Sequence, residues 1–164
     1  MLSYIPNYDP DFKGGTLLIY FSAPLFNQAE LAFNQKLTGK LEKEGFSVYL
    51  PQRDGLEFHE FPEDTERSEM QRMIFKFDRD KVFEADILLI ILDGRVPDEG
   101  ACVELGLAYA DKYLNKTDKY LIGLKTDSRA AFKQDPINLM IFGSLDCLVE
   151  SEDDLIGALK EFRA

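Results

Sequence analysis

The sequence predicts an α/β fold: a doubly wound sheet of about five parallel strands with helices on both faces. Three observations carry this expectation. Short apolar, β-branched runs alternate along the chain with longer segments that are apolar every third or fourth residue. The clearest run, Ile87-Leu88-Leu89-Ile90-Ile91-Leu92, contains no polar residue, as a strand buried on both faces requires. Turn formers such as Gly45, Gly55, Gly94 and Pro97 stand at the joints between these segments. At 164 residues the chain fits a single domain over 16–164, preceded by an arm over 1–15 that carries Pro6, Pro10, Gly14 and Gly15.

In chain order, the first strand is expected at Thr16–Ser22. A helix follows over Asn27–Glu44, with Leu31, Leu37 and Leu41 turned inward and Gly45 as its stop. Phe46–Leu50 reads as the second strand. The polar stretch Pro51–Thr65 is long for a connector and reads as a functional loop. Met70, Met73, Ile74, Phe77 and Lys81 recur at spacings of three and four, so a helix over Glu66–Glu84 is expected to lay one stripe on the sheet. The third strand is Ile87–Leu92, and its helix is Ala101–Tyr113. Tyr120–Leu124 and Cys147–Val149 are the fourth and fifth strands, separated by a loop with Asp127, Asp135 and Pro136 and a short helix near Ile137–Phe142. Leu155, Ile156, Leu159 and Phe162 give the last helix, Glu152–Phe162, its apolar face. The pattern suits the flavodoxin-like strand order 2-1-3-4-5, which brings the carboxyl ends of strands one, two and three to one crevice.

Composition excludes several function classes. A formal net charge of −11 argues against a nucleic-acid partner. The single histidine, His59, cannot build a His-rich zinc site, and Cys102 and Cys147 lack metal-ligand spacing. No apolar stretch approaches the ~18 residues of a membrane span, and no signal-peptide layout opens the chain. A reducing, cytoplasmic location is therefore expected. Neither GxGxxG nor a phosphate-binding P-loop is present.

The crevice should receive Tyr20-Phe21-Ser22-Ala23-Pro24-Leu25-Phe26 from strand one and Leu50-Pro51-Gln52-Arg53-Asp54-Gly55 from strand two. It should also receive Asp98-Glu99-Gly100-Ala101-Cys102-Val103-Glu104 after strand three, and Asp78 or Asp80 from the helix between them. Carboxylates and a tyrosine among aromatic residues suit a small polar ligand with one flat group. Glu104, near a helix start and partly shielded from water, is placed to stay ionised and act as a nucleophile. The same glutamate is also what a helix macrodipole favours with no ligand present.

Four segments together resemble the nucleoside 2-deoxyribosyltransferases. They are Leu18–Phe26, Asp78–Asp86, the Asp-x5-Glu-Leu-Gly element Asp98–Gly106, and Pro136-Ile137-Asn138-Leu139-Met140, in the family's order and across roughly residues 16–149. The resemblance implies a flavodoxin-like fold, no cofactor, and transfer of 2-deoxyribose from a 2′-deoxynucleoside to a free base. By position, it makes Glu104 the nucleophile and Tyr20 the residue that holds it. Asp78 becomes the proton donor near the departing base, and Asp98 the acid that binds the sugar's 5′-hydroxyl. Asn138 becomes a sugar ligand supplied by a neighbouring subunit, which implies a homo-oligomer. The N-terminal arm is extra to the family pattern, and the chain ends in an acidic helix where some members carry an aromatic tail.

The chemistry fits these residue types. A carboxylate under C1′ stabilises an oxocarbenium-like centre and can trap it covalently, while a second group handles the proton of the leaving base. Phe21 is expected to border the base, and Arg53 and Asp54 to contact substrate from the second loop. A carboxylate at Asp98 accepts a hydrogen bond from a hydroxyl but repels a phosphate, which favours free nucleosides over 5′-monophosphates. Two alternatives stay open on sequence: an N-glycosidase that hydrolyses deoxynucleosides or their monophosphates, and a non-catalytic nucleotide-binding module.

Overall fold

A computed structural model describes residues 16–127 and 137–163. The expected arm over 1–15, and Asp135 and Pro136 of the fourth connection, lie outside the described residues.

Five strands form one parallel sheet: β1 (Leu18–Ser22), β2 (Ser47–Tyr49), β3 (Ile87–Ile91), β4 (Tyr120–Leu124) and β5 (Cys147–Val149). Their order is β2-β1-β3-β4-β5, as expected. Among the described residues six α-helices accompany them: α1 (Gln28–Lys43), α2 (Pro51–Asp54), α3 (Arg67–Glu84), α4 (Glu99–Asn115), α5 (Leu139–Ser144) and α6 (Glu152–Arg163).

The strands are mostly apolar because both faces of the sheet are covered, yet their period of two still sorts them. Ile19, Phe21, Ile87, Leu89, Ile122 and Leu124 pack with α1 and α6 on one face. Tyr20, Tyr49, Leu88, Ile90 and Leu121 pack with α3 and α4 on the other. α1 begins with a capping box, in which Asn27 accepts from the Ala29 and Glu30 amides and Glu30 reaches back to the cap. Lys36 and Lys40 hold Glu152, tying α1 to α6.

Three local readings change. The stretch 51–65 is not bare loop: Pro51–Asp54 is helical, with proline at its first turn, and Phe58–Glu60 forms a 3-10 turn. The stripe on α3 does not lie fully on the sheet. Only Val82 is buried, and Met70, Met73, Ile74 and Phe77 are half-buried. The reason is length: an 18-residue helix spans about 27 Å and a five-residue strand about 16 Å, so the helix outruns its strands. At its other end, buried Lys119 donates to the carbonyls of Val82, Phe83 and Ala85, satisfying the last turn and fixing α3 along the sheet. Finally, α4 starts at Glu99, two residues before the expected start, with Asp98 as its N-cap. Gly100 lies within its first turn.

Candidate active site

The site is built on one face of the sheet's carboxyl edge. In α4, Ala101, Leu105 and Ala108 face the sheet at helical spacing. Glu104 flanks that stripe and reaches the end of β1. Tyr20 donates its phenolic hydrogen to Glu104 Oε1 at 2.7 Å, and Ser22 donates its hydroxyl to Oε2 at 2.6 Å. Tyr20 and Ser22 are two apart on a strand, so they share a face, and each holds a different oxygen of the same carboxylate. Glu104 therefore has a fixed carboxylate plane.

The second carboxyl, Asp78 of α3, accepts from the Tyr49 hydroxyl at 2.9 Å. Tyr49 pairs in register with Tyr20 across β1 and β2, and the two rings stack with centroids 5.3 Å apart. Two acids from two helices are thus joined through a pair of stacked tyrosines. Phe77 closes on Tyr49 from α3, with ring centroids 6.1 Å apart. Gly55 passes close by. A β-carbon there would meet the Pro51 carbonyl at 2.5 Å and the Tyr49 hydroxyl at 3.4 Å, so the chain needs glycine at this approach.

Electrostatics follow from burial. Desolvation pushes the Glu104 carboxyl above the usual carboxylate range; the hydroxyls of Ser22 and Tyr20 pull it back, and Asp78 and Asp98 push it up further. Desolvation also raises Asp78, with Tyr49 alone opposing it. Both tyrosines are raised by burial and by the carboxylates they face, so each stays a hydrogen-bond donor. The helix start does less for Glu104 than the sequence suggested. Glu104 sits in the second turn of α4, and the macrodipole acts mainly within the first. The hydroxyls supply the stabilisation instead.

The other expected residues fall in different places. Asp98 Oδ1 accepts the Ala101 amide at 2.8 Å, capping α4, and its charge is felt at Glu104. Asn138 is exposed and caps α5 by accepting from the Met140 amide. Phe21 does not reach the site. It is 0% exposed, in the core on the opposite face, because the strand alternates. Arg53 and Asp54 are not turned to the carboxylates either. The Arg53 guanidinium donates to Asp54, to Glu42 of α1 and to the Val48 carbonyl, while Asp54 Oδ2 accepts the Leu50 amide at the start of α2. These two residues brace α2 against α1.

Two site residues, Ser22 and Tyr49, were not singled out from sequence. The period of two from Tyr20 points to Ser22; the register that brings Tyr49 beside Tyr20 has no local signal. Among the described residues no group of three or more His, Cys, Asp or Glu is arranged to hold a metal ion.

A family model described as nucleoside 2-deoxyribosyltransferase matches residues 19–153, which include every element of this site. The chain belongs to the nucleoside 2-deoxyribosyltransferase family. Its activity is the transfer of a deoxyribose moiety between nucleosides and bases. Among solved structures, the chain is similar to a conserved protein from Enterococcus faecalis V583, with 28% identity over 89% of this chain and 98% of that one, at a TM-score of 0.72. It is similar to the 2-deoxyribosyltransferase of the psychrotolerant bacterium Bacillus psychrosaccharolyticus, with 27% identity over 85% and 90% of the two chains and a TM-score of 0.67. A CMP N-glycosidase from Clostridium botulinum shares the fold at 16% identity, over 88% and 98% of the chains and with a TM-score of 0.55. No curated protein matches the chain in sequence. No helix among the described residues is long and apolar enough to cross a membrane.

Proposed function

We propose that this deoxyribosyltransferase works by double displacement on Glu104, with Asp78 as the group that gives and takes the base proton. The observation that carries this reading is the half-buried Glu104 carboxylate, held on both oxygens by hydroxyls while a second half-buried carboxyl, Asp78, stands close by. In the first step a Glu104 oxygen bonds to C1′ of a 2′-deoxynucleoside. The bond from C1′ to the base nitrogen breaks, and its electron pair leaves with the base, which takes a proton from Asp78. In the second step a free base attacks C1′, the ester oxygen returns to Glu104 as carboxylate, and Asp78 recovers a proton from the incoming base. Two inversions return a β-nucleoside.

The two acids are equipped for opposite roles. Glu104 accepts two hydroxyl bonds and is the better anion; Asp78 accepts one and is the better acid. Asp98 is the proposed acceptor for the sugar's 5′-hydroxyl through Oδ2, since Oδ1 accepts the Ala101 amide. A free nucleoside is the preferred donor. A 5′-phosphate would meet the Asp98 carboxylate as a like charge, and Arg53 is taken up by Glu42 and Asp54. A homo-oligomer in which Asn138 serves a neighbour's site is supported by the exposure of Asn138 beside apolar Leu139, Met140 and Phe142, the first two 76% and 79% exposed. The free thiols of Cys102 and Cys147 support a reducing, cytoplasmic setting.

The test is base exchange. Deoxyinosine incubated with adenine should yield deoxyadenosine and hypoxanthine, and Glu104→Ala should yield neither. Release of hypoxanthine at the same rate with and without adenine would reassign the protein as a hydrolase. For the oligomer, mixing the inactive Glu104→Ala and Asn138→Ala proteins should restore activity in shared sites, and no restoration would remove the role given to Asn138.

A further inference from the structure

We propose that Ser22 is a positioning residue of the transfer reaction: its hydroxyl fixes the plane of the Glu104 carboxylate and steadies that group as it leaves the sugar in the second step. The inference rests on the reading of Glu104 as nucleophile. It starts from three observations. Ser22 Oγ lies 2.6 Å from Glu104 Oε2, on the oxygen that Tyr20 does not hold. Ser22 is 0% exposed, so no bulk water replaces its hydrogen bond. Its backbone is locked into the sheet, in register with Ile90 of β3.

One hydroxyl on one oxygen leaves the carboxylate free to twist about its last bond. Two hydroxyls on different oxygens define its plane. Whichever oxygen bonds to C1′, the other keeps a donor. The bonds also change strength through the cycle. A hydrogen bond to a carboxylate is roughly twice as strong as one to a neutral acceptor, and the glycosyl ester is neutral. Charge leaves Glu104 as the ester forms and returns as it breaks. Ser22 is therefore bound more strongly to the starting anion than to the ester, and it favours the step that regenerates the anion. Tyr20 acts in the same direction from Oε1. The charged and titratable groups that face Glu104 are Tyr20 from β1, Asp78 from α3 and Asp98 at the start of its own helix, with Tyr49 of β2 behind Tyr20. All except the tyrosines are acids, so Ser22 and Tyr20 are the groups that favour its ionised form.

Ser22→Ala removes one oxygen atom and leaves the packing. Two readouts separate positioning from packing. The first is partition: with a deoxynucleoside and limiting acceptor base, the variant should accumulate more glycosyl-enzyme by intact-mass spectrometry, as the second step slows about tenfold and the first slows less. The second is the acid limb of the kcat/KM profile for the donor, which should move up by about one pH unit, because the lost bond favoured the ionised carboxylate. Unchanged partition and an unchanged acid limb in a folded variant would overturn the proposal and leave Ser22 as core. If the alanine variant fails to fold, Ser22→Cys keeps the volume and weakens the donor, and the same shifts are expected in smaller measure. Glu104→Gln is run alongside. Exchange by that protein would refute the nucleophile itself; no exchange, with Ser22→Ala indistinguishable from wild type, would refute only the role of Ser22.

Discussion

The two faces of β1 divide the work of the molecule. Ile19 and Phe21 point to the side covered by α1 and α6 and join the apolar cluster there. Tyr20 and Ser22, interleaved with them, point to the side covered by α3 and α4 and present hydroxyls to Glu104. All four residues are fully buried or nearly so, so exposure does not separate core from site here. What separates them is whether a buried polar atom has been supplied with a charged partner. A parallel strand covered on both sides can carry a fold on one face and chemistry on the other within five residues.

Substitutions on each face should therefore fail in different ways. The largest effect is expected at Glu104→Ala, with exchange lost by at least ~10⁴-fold and the thermal midpoint retained. Removal of this half-buried acid should even raise stability at high pH. A carboxyl whose folded pKa is raised contributes its stability at low pH and loses it as pH rises through that pKa, so the gain of Glu104→Gln over wild type should grow as pH rises above the ordinary carboxylate range in thermal melts. On the other face, Phe21→Ala should cost about 3–5 kcal/mol in denaturant unfolding, with turnover per folded molecule unchanged. A selective loss of activity in a stable Phe21→Ala protein would break the division of the two faces. Next in size, Asp78→Asn should slow exchange by ~10²–10⁴, most for bases whose departure needs a proton. The smallest effect is expected at Tyr49→Phe. The ring stack with Tyr20 remains, but Asp78 loses the hydroxyl that favours its ionised form, so the basic limb of the rate profile should move to higher pH. Movement to lower pH would contradict the assignment of Asp78 as the acid.

The comparison also explains what was legible in the sequence. The alternation of strands and helices and the position of Glu104 after the third strand are local properties of the sequence; the strand order follows only from how commonly this alternation adopts 2-1-3-4-5. Tyr20-Phe21-Ser22 reads as one block at the end of a strand, yet the strand period sends Phe21 to the core and brings Ser22 to the site. Tyr49 needed the pairing of β1 with β2, a contact between residues far apart in sequence. Arg53 looked available for substrate because its partner Glu42 lies in another helix, and only packing of α2 on α1 brings them together. Gly100 reads as loop in sequence but lies inside α4, which puts Glu104 two residues further from the helix start and leaves the helix dipole a smaller share in holding it ionised.

The most direct test is to find where the sugar rests between the two steps. The protein is incubated with a deoxynucleoside and no acceptor base, quenched in acid, digested and mapped by tandem mass spectrometry. The account predicts one deoxyribosyl unit on the peptide containing Glu104, localised to that side chain and absent from Glu104→Gln. A sugar carried by Asp78, Asp98 or any other residue, or transfer that proceeds with no adduct in Glu104→Gln, would contradict it.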